Sequence, residues 1–354
     1  MNERLIRLQE EIDAKELDAV LITKVPNVTY FSGFRGDSSA LFIGKNFRKL
    51  ITDGRYTEQA ITQAKSFTLV EQTEGLYKKI VEEIKISGCK RIGFEGLTMT
   101  VAEHSYLKKE LKGVEFKSIA LDSLRQVKDA AEIANIRRAC EIADDAFKKV
   151  LQVIKPGVRE VEVAADLEYF MRRLGSEAAA FATIVASGWR GSFPHGTASD
   201  KTISAGELVT MDFGATFNGY CSDITRTVCI GKATADQRKI YNLVLDAQLY
   251  GLEVITAGKG GKEIDSAVRE LLTAAGYGRF FVHGLGHGVG LEIHEEPRLS
   301  KLSKCEHLLL NMIVTDEPGI YIENFGGVRI EDTVLVTAGT AQPLTRSPKY
   351  LIEL

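Results

Sequence analysis

The dipeptide Asn218-Gly219 constrains this chain most, because it dictates how two acidic segments lie against each other. Both residues tolerate the positive φ of a type I′ turn, and strand-like runs flank them, Val209 to Ala215 before and Cys221 to Thr227 after. A β-hairpin is expected. With Asn218 and Gly219 as its loop, Phe217 faces Tyr220, and counting outward puts Gly214 opposite Asp223 and Thr225 opposite Asp212. Residues two apart share a face, so Asp212 and Asp223 become diagonal neighbours, roughly 7–8 Å apart at the backbone. A bulge or longer loop would shift this register.

A second hairpin is expected from Thr315 to Asp332, with its turn near Asn324. Glu317 and Glu331 lie equally far from that centre and become cross-strand partners. His287 sits in His283-Gly-Leu-Gly-His-Gly-Val-Gly290, where alternating glycines allow close backbone approach. No register of that segment satisfies GxGxxG, and no Gly-Lys-Ser or Gly-Lys-Thr follows, so it is not a nucleotide loop. Arg298 stands where HExxH would need its second histidine after His294.

Asp212, Asp223, His287, Glu317 and Glu331 together can build a pair of metal sites. Carboxylates gathered in a folded interior repel one another and rise in pKa unless cations neutralise them. Two divalent ions per chain would supply that compensation. One imidazole among oxygen donors makes Mn the first choice, with Co and Zn open.

The run from Phe181 to Glu331 resembles the proline-specific metallopeptidases of the pita-bread fold, the family that includes aminopeptidase P and prolidase. The matching stretches are Val185-Ala-Ser-Gly188 with Pro194-His-Gly196, Met211-Asp-Phe-Gly214 with Ser222-Asp-Ile-Thr-Arg-Thr227, Gly286 to His294, Glu317-Pro-Gly-Ile-Tyr321 and Gly327 to Asp332. Taken in order they are specific, where each alone would be weak. The resemblance implies that the five residues above are the metal ligands, with Asp223 and Glu331 bridging, and that a metal-bridging hydroxide attacks the scissile carbonyl. It places His195, His283 and His294 on the substrate side. Glu317 counts among the catalytic residues as well as the ligands, and Tyr321 and Arg329 stand behind the ligands in a proton relay, with Thr225 nearby. Asp316 departs from the pattern, since an apolar residue often precedes the ligand glutamate. Strand alternation puts it on the face opposite Glu317, as a surface or buttressing acid. Trp189 is expected in loop packing more than against substrate, and His104 and His307 at the surface.

Residues 1–123 alternate helical and strand patterns, including helix-like residues 3 to 16, Leu76 to Ile86 and Val101 to Leu111. Tyr30-Phe-Ser-Gly-Phe-Arg-Gly36 and Thr52 to Ala60 resemble the amino-terminal domain of the creatinase, prolidase and aminopeptidase P group. The expected architecture is therefore a creatinase-like α/β domain over 1–123 and a pita-bread α+β catalytic domain over 124–354. Within the latter, Ile154 to Gly175 faintly echoes Ile255 to Gly276 at an offset of 101, which helix-turn-helix chemistry alone could produce and which matches the pseudo-twofold repeat that the pita-bread resemblance implies.

A net charge of −3 gives no reason to expect nucleic acid or an anionic membrane as partner. Five scattered cysteines without a CxxC fit reduced packing residues. The start, Met1 to Arg4, opens an amphipathic pattern rather than a signal peptide, and the cytoplasm is the expected compartment.

The expected activity is hydrolysis of bonds preceding proline, whose tertiary amide lacks the N–H that ordinary peptidases grip. Xaa-Pro dipeptides are the first expected substrates, as for prolidase. Longer peptides with proline second, as for aminopeptidase P, are the alternative. A non-catalytic pita-bread binding protein is the distant alternative, and a metal-free creatinase-type enzyme is disfavoured by the ligand set. The resemblance also implies a homodimer, in which the loop carrying Arg35 and Asp37 could reach a neighbour's site.

Overall fold

Apolar residues three and four apart put Leu5, Leu8 and Ile12 on one buried face of helix α1, Glu3–Ala14, in the computed structural model, which describes residues 3–354. Met1 and Asn2 lie outside the described residues. Two units divide between Arg125 and Gln126. In the first, α1 is followed by β1 (Ala19–Ile22), α2 (Val25–Ser32), β2 (Ser39–Gly44), β3 (Phe47–Asp53), α3 (Thr57–Gln63), β4 (Thr68–Gln72), α4 (Leu76–Ser87), β5 (Arg91–Glu95), α5 (Val101–Glu110) and β6 (Glu115–Ile119). The strands form one sheet in the order β4-β3-β2-β1-β5-β6. Strand β2 runs antiparallel to both neighbours and the other pairings are parallel. His104 corrects its surface expectation, because its ring stacks on Phe94 at 4.9 Å and its Nε2 is buried.

The second unit opens on α6 (Ala130–Val150), whose start is set by a capping box between Asp129 and Glu132. Then come α7 (Glu160–Arg173), β7 (Ile184–Ser187), β8 (Leu208–Phe213), β9 (Thr216–Phe217), β10 (Tyr220–Cys221) and β11 (Ile224–Cys229). A second capping box, Thr234 with Gln237, begins α8 (Ala235–Val254), followed by α9 (Gly261–Ala274). The chain ends with β12 (Gly286–Gly288), β13 (Glu295–Leu299), β14 (Ile313–Asp316), β15 (Gly319–Ile322), β16 (Gly326–Arg329), β17 (Asp332–Leu335), β18 (Gln342–Pro343) and β19 (Ile352–Glu353).

Helices α7 and α9 have equal length and begin and end at an offset of 101, and Gly157 and Gly258 before them share a φ of 93°. Each half packs its helix pair on a sheet. One core joins Ala143, Phe147 and Leu167 to Met211 and Phe213, and the other joins Val244, Ile264 and Val268 to Val314 and Val334. Burying such side chains is worth roughly 1.5–3 kcal/mol each. The sheets run β19-β11-β8-β7 and β13-β12-β14-β17-β18. Between them Thr225 pairs with Glu331, and Thr227 Oγ1 donates to the Arg329 carbonyl.

Both hairpins have the registers read from the sequence. Asn218 and Gly219 take φ of 48° and 81°, Phe217 pairs with Tyr220, and Asp212 pairs with Thr225. At Gly214 the strands come too close for a side chain, since a Cβ there would meet the Ser222 carbonyl at 2.0 Å. In the second hairpin Tyr321 pairs with Gly327 and, beyond a break, Asp316 pairs with Asp332. Glu317 and Glu331 fall opposite each other in that break. Their amides turn outward instead, Glu317 to the Leu285 carbonyl and Glu331 to the Thr225 carbonyl. Those two bonds seat both glutamates where the half-sheets meet.

Candidate metal centre and active site

Strand ends and interrupted ladders deliver the acidic side chains to one cavity of about 660 Å³. Asp212 comes from the end of β8, Asp223 from just before β11, and Glu317 and Glu331 from the break in the second hairpin. Thr333 Oγ1 donates to the Asp223 carbonyl at 2.7 Å and accepts from its amide, which fixes the backbone there. Carboxylate oxygens of Asp212, Asp223 and Glu331 lie within 4.8 Å of one another. His287 Nε2 stands 3.6 Å from Asp223 Oδ2 and 3.3 Å from Glu317 Oε1.

The donor set fits divalent metal. His287 Nδ1 lies 3.1 Å from the Gly288 carbonyl and donates to it, which leaves Nε2 with its lone pair toward the carboxylates. Burial and the neighbouring His294 keep this ring neutral, holding its pKa down to about 3. Asp212 Oδ1 is buried without a hydrogen-bond partner. Burial, with Glu331 and Asp212 adding, pushes Asp223 well above the usual carboxylate range, and burial with Glu317 does the same to Glu331. Burial raises Glu317 to about 8, with Arg329 opposing and Asp212 adding. A lone-pair nitrogen aimed at crowded acids is repulsive unless a cation, or protons in its place, lies between them.

One guanidinium organises the wall behind this cluster. Arg329 Nη2 donates to Asp212 Oδ2 at 2.7 Å, Nε to Thr225 Oγ1 at 3.0 Å, and Nη1 to both Tyr321 Oη and the Pro194 carbonyl. Thr225 Oγ1 in turn donates to Glu331 Oε2 at 2.6 Å. His283 Nδ1 donates to the Gly284 carbonyl, so its Nε2 accepts from the Tyr321 hydroxyl at 2.8 Å. Burial, with Arg329 adding, lowers His283 to about 3 and keeps it neutral, and burial raises Tyr321 to about 12. The hydroxyl oxygen therefore accepts from a cation while its proton is held by a neutral imidazole.

His195, His283 and His294 line the same cavity, His294 with its ring centre 4.3 Å from that of His287. Tyr321 reaches the site through Arg329 and His283. Trp189 does not line the cavity and stacks edge-on against Phe193, in line with loop packing. His307 is exposed, as expected. Asp316 corrects the surface half of its expectation. It does face away from Glu317, but it is fully buried against Gly251 of α8, with neither carboxylate oxygen hydrogen-bonded. Sequence reasoning passed over Thr315, whose hydroxyl donates to Glu317 Oε1 at 3.0 Å, although its place two residues before Glu317 on one strand face pointed to it. It also passed over Arg298 as a site residue, which pairs across β12 and β13 with His287 and lines the cavity.

Residues 134–338 match the sequence family described as metallopeptidase family M24, and residues 4–127 match the creatinase/prolidase N-terminal domain. The chain belongs to metallopeptidase family M24. Like other members it takes divalent metal, and its architecture is a creatinase-type amino-terminal domain followed in the chain by the family's pita-bread catalytic fold. It is 43 % identical to a Xaa-Pro dipeptidase of Pyrococcus furiosus, over 99 % of this chain and 100 % of that one. Among solved structures, a Xaa-Pro dipeptidase from Bacillus anthracis superposes with a TM-score of 0.96 at 42 % identity, covering 99 % of both chains. An X-Pro aminopeptidase from Thermotoga maritima gives 0.92 at 38 %, also over 99 % of both.

Proposed function

We propose that this family M24 member is a metallo-exopeptidase that cleaves Xaa-Pro dipeptides. Full-length likeness to the two dipeptidases supports the reaction class. The observation that carries the dipeptide reading is Arg298. Its guanidinium lines the cavity beside His287 and has no ion-pair partner among the described residues. A dipeptide presents a free proline carboxylate to be recognised, and an unpaired arginine in a cavity suits a carboxylate. Longer peptides bring an amide to that position instead.

In this reading Asp212, Asp223, His287, Glu317 and Glu331 hold two divalent ions, whose charge balances the four carboxylates. The oxygen-rich set with one imidazole supports Mn, with Co or Zn as substitutes. Bound there, such ions supply the Lewis acidity that activates water at neutral pH and polarises the scissile carbonyl. The chain's own part is positional. Arg298 takes the carboxylate, His195, His283 and His294 flank the substrate, and Tyr321 and Arg329, with the Tyr321 hydroxyl on His283, hold a proton behind the ligands. The reading includes domains of 1–123 and 124–354 and a homodimer in which the Arg35 and Asp37 loop reaches a neighbour's cavity. Loss of dimers with unchanged activity would count against that last element. Five free cysteines support a reducing, cytoplasmic setting. Among the described residues no helix is long and apolar enough to cross a membrane.

The aminopeptidase reading is favoured by one observation, the 38 % identity to the Thermotoga maritima enzyme. Release of alanine from Ala-Pro and from Ala-Pro-Ala, by Mn-loaded and chelated protein, decides between them. Metal-dependent cleavage of the dipeptide alone supports the dipeptidase. Preference for the tripeptide moves the assignment to the aminopeptidase, and inactivity on both with Mn, Co and Zn removes the peptidase reading.

A further inference from the structure

The segment that carries His195 is long and irregular, running from Ser187 at the end of β7 to Ser199. Its tip, Pro194 and His195, lines the cavity, yet His195 itself is exposed and no side-chain hydrogen bond among the described residues anchors its ring. Rotational freedom there would cost any substrate contact dearly, since misplacing a reacting group by about 1 Å can cost on the order of 10²-fold in rate. Something must hold the segment from below.

One side chain does so at both ends. Glu160, the first residue of α7, has no solvent exposure. Its Oε1 accepts from the Ser187 amide at 2.7 Å and the Ser187 hydroxyl at 2.8 Å. Its Oε2 accepts from the Ser199 hydroxyl at 2.7 Å, the Ser199 amide at 3.2 Å, and Arg190 Nη1. Arg190 then donates through Nη2 to the Thr197 carbonyl at 2.8 Å, bracing the segment across its middle. Five donors converge on two oxygens, so the acceptor must be a carboxylate, and a buried carboxylate so satisfied is rigid. Further up, Gly191 meets Gly327 of β16 with no room for a Cβ, and the Pro194 carbonyl accepts from Arg329.

The pseudo-symmetric half repeats the device. On α9 the buried Asp265 accepts from the Leu285 amide at 3.0 Å and pairs with Arg269, which donates to the carbonyls of Phe281 and His283. In both halves the second helix thus fixes a histidine-bearing segment through a carboxylate and an arginine. We propose that Glu160 is a positioning residue for His195, setting its place over the metal cluster by clasping the two ends of its segment. The inference rests on the peptidase reading above for the role of His195.

The sole tryptophan, Trp189, lies inside the clasped segment and reports on it without reference to activity. The test compares metal-loaded full-length wild type, Glu160→Gln, His195→Ala and the double variant, measuring kcat/KM on Ala-Pro and acrylamide quenching of Trp189. Glutamine keeps the shape but turns an amide donor toward donors. The expected results are a loss on the order of 10²-fold for Glu160→Gln, a double variant within about twofold of His195→Ala alone, and stronger Trp189 quenching in Glu160→Gln but not in His195→Ala. Losses that multiply, or unchanged quenching in folded Glu160→Gln, overturn the proposal. If Glu160→Gln does not fold, Ser199→Ala, which removes one hydroxyl donor, carries the same cycle at a loss of about threefold or more. Wild type inactive on both Ala-Pro and Ala-Pro-Ala sinks the peptidase reading instead, and the quenching comparison still decides whether Glu160 holds the segment.

Discussion

Arg329 Nη2 sits 2.7 Å from Asp212 Oδ2, and the same guanidinium reaches Thr225, Tyr321 and the Pro194 carbonyl. Lysine offers one point charge on a flexible stem and cannot make that planar set of contacts. Arg329→Lys should therefore lose on the order of 10- to 100-fold in metal affinity or in kcat/KM. Chelator competition and steady-state kinetics on Ala-Pro measure the two separately. A variant unchanged in both would remove Arg329 from the site.

Removing metal should destabilise the protein in a pH-dependent manner, and the sign follows from the acids. Asp223, Glu331 and Glu317 are raised in the metal-free fold, above unfolded values near 4. Between about pH 4 and the Glu317 value of about 8 these acids hold protons that the unfolded chain has lost, so their contribution to metal-free stability falls as pH rises. Metal displaces those protons, so its binding tightens over the same range. The gap in Tm between loaded and stripped protein should widen from pH 5 to pH 8. At a metal concentration of 100 times Kd the stabilisation is about 2.7 kcal/mol. A gap that narrows with rising pH would contradict the reading.

How far the sequence foretold this site depends on the kind of contact. Hairpin registers were legible because Asn218-Gly219 admits one turn type, and Asn324 centres the other turn, with its own φ of 61°. Those two facts place four of the five donor residues. Asp316 was half legible. Strand alternation told which face it takes, but only tertiary packing tells that α8, through Gly251, covers that face. His104 failed for the same reason, since the aromatic rings of Phe94 and Phe116 that enclose it come from two strands outside its own helix. Glu160 left no trace, because its partners lie 27 to 39 residues away and follow no period.

Asp316 itself yields a prediction of the opposite sign from most core changes. Burial and the neighbouring Asp332 push its carboxyl well above the usual range, and neither oxygen is hydrogen-bonded. A folded pKa above the unfolded one means its cost is absent below about pH 4 and grows as pH rises. Asp316→Asn, of the same shape and uncharged, should stabilise at pH 7 by about 1 kcal/mol or more, with the gain shrinking toward pH 4. Thermal melts across pH check this, and a destabilised variant at pH 7 would show that the carboxylate has a partner.

Directly across the strand pair, Asp332 shows what a compensated acid looks like in the same place. It pairs with Arg226 at 2.7 Å and Lys349 at 2.7 Å and accepts from Gln248 and Thr345, and these cations hold its pKa down despite full burial. Arg226 also donates to the carbonyls of Glu331, Thr225 and Ser347, so one buried guanidinium ties the C-terminal segment to a metal-site strand. Arg226→Met keeps much of the volume but leaves Asp332 with only its partly exposed lysine as counter-charge. Removing one partner of a buried pair costs about 3–5 kcal/mol, and the remaining Lys349 puts the expected loss near the lower figure. Because the Glu331 carbonyl is released as well, metal affinity should fall with stability, while Asp332→Asn, which retains Arg226 on those carbonyls, should lower stability with a smaller effect on metal. Urea unfolding and chelator competition on both variants separate the two effects, and equal losses of metal affinity would show that Arg226 does not hold Glu331 in place.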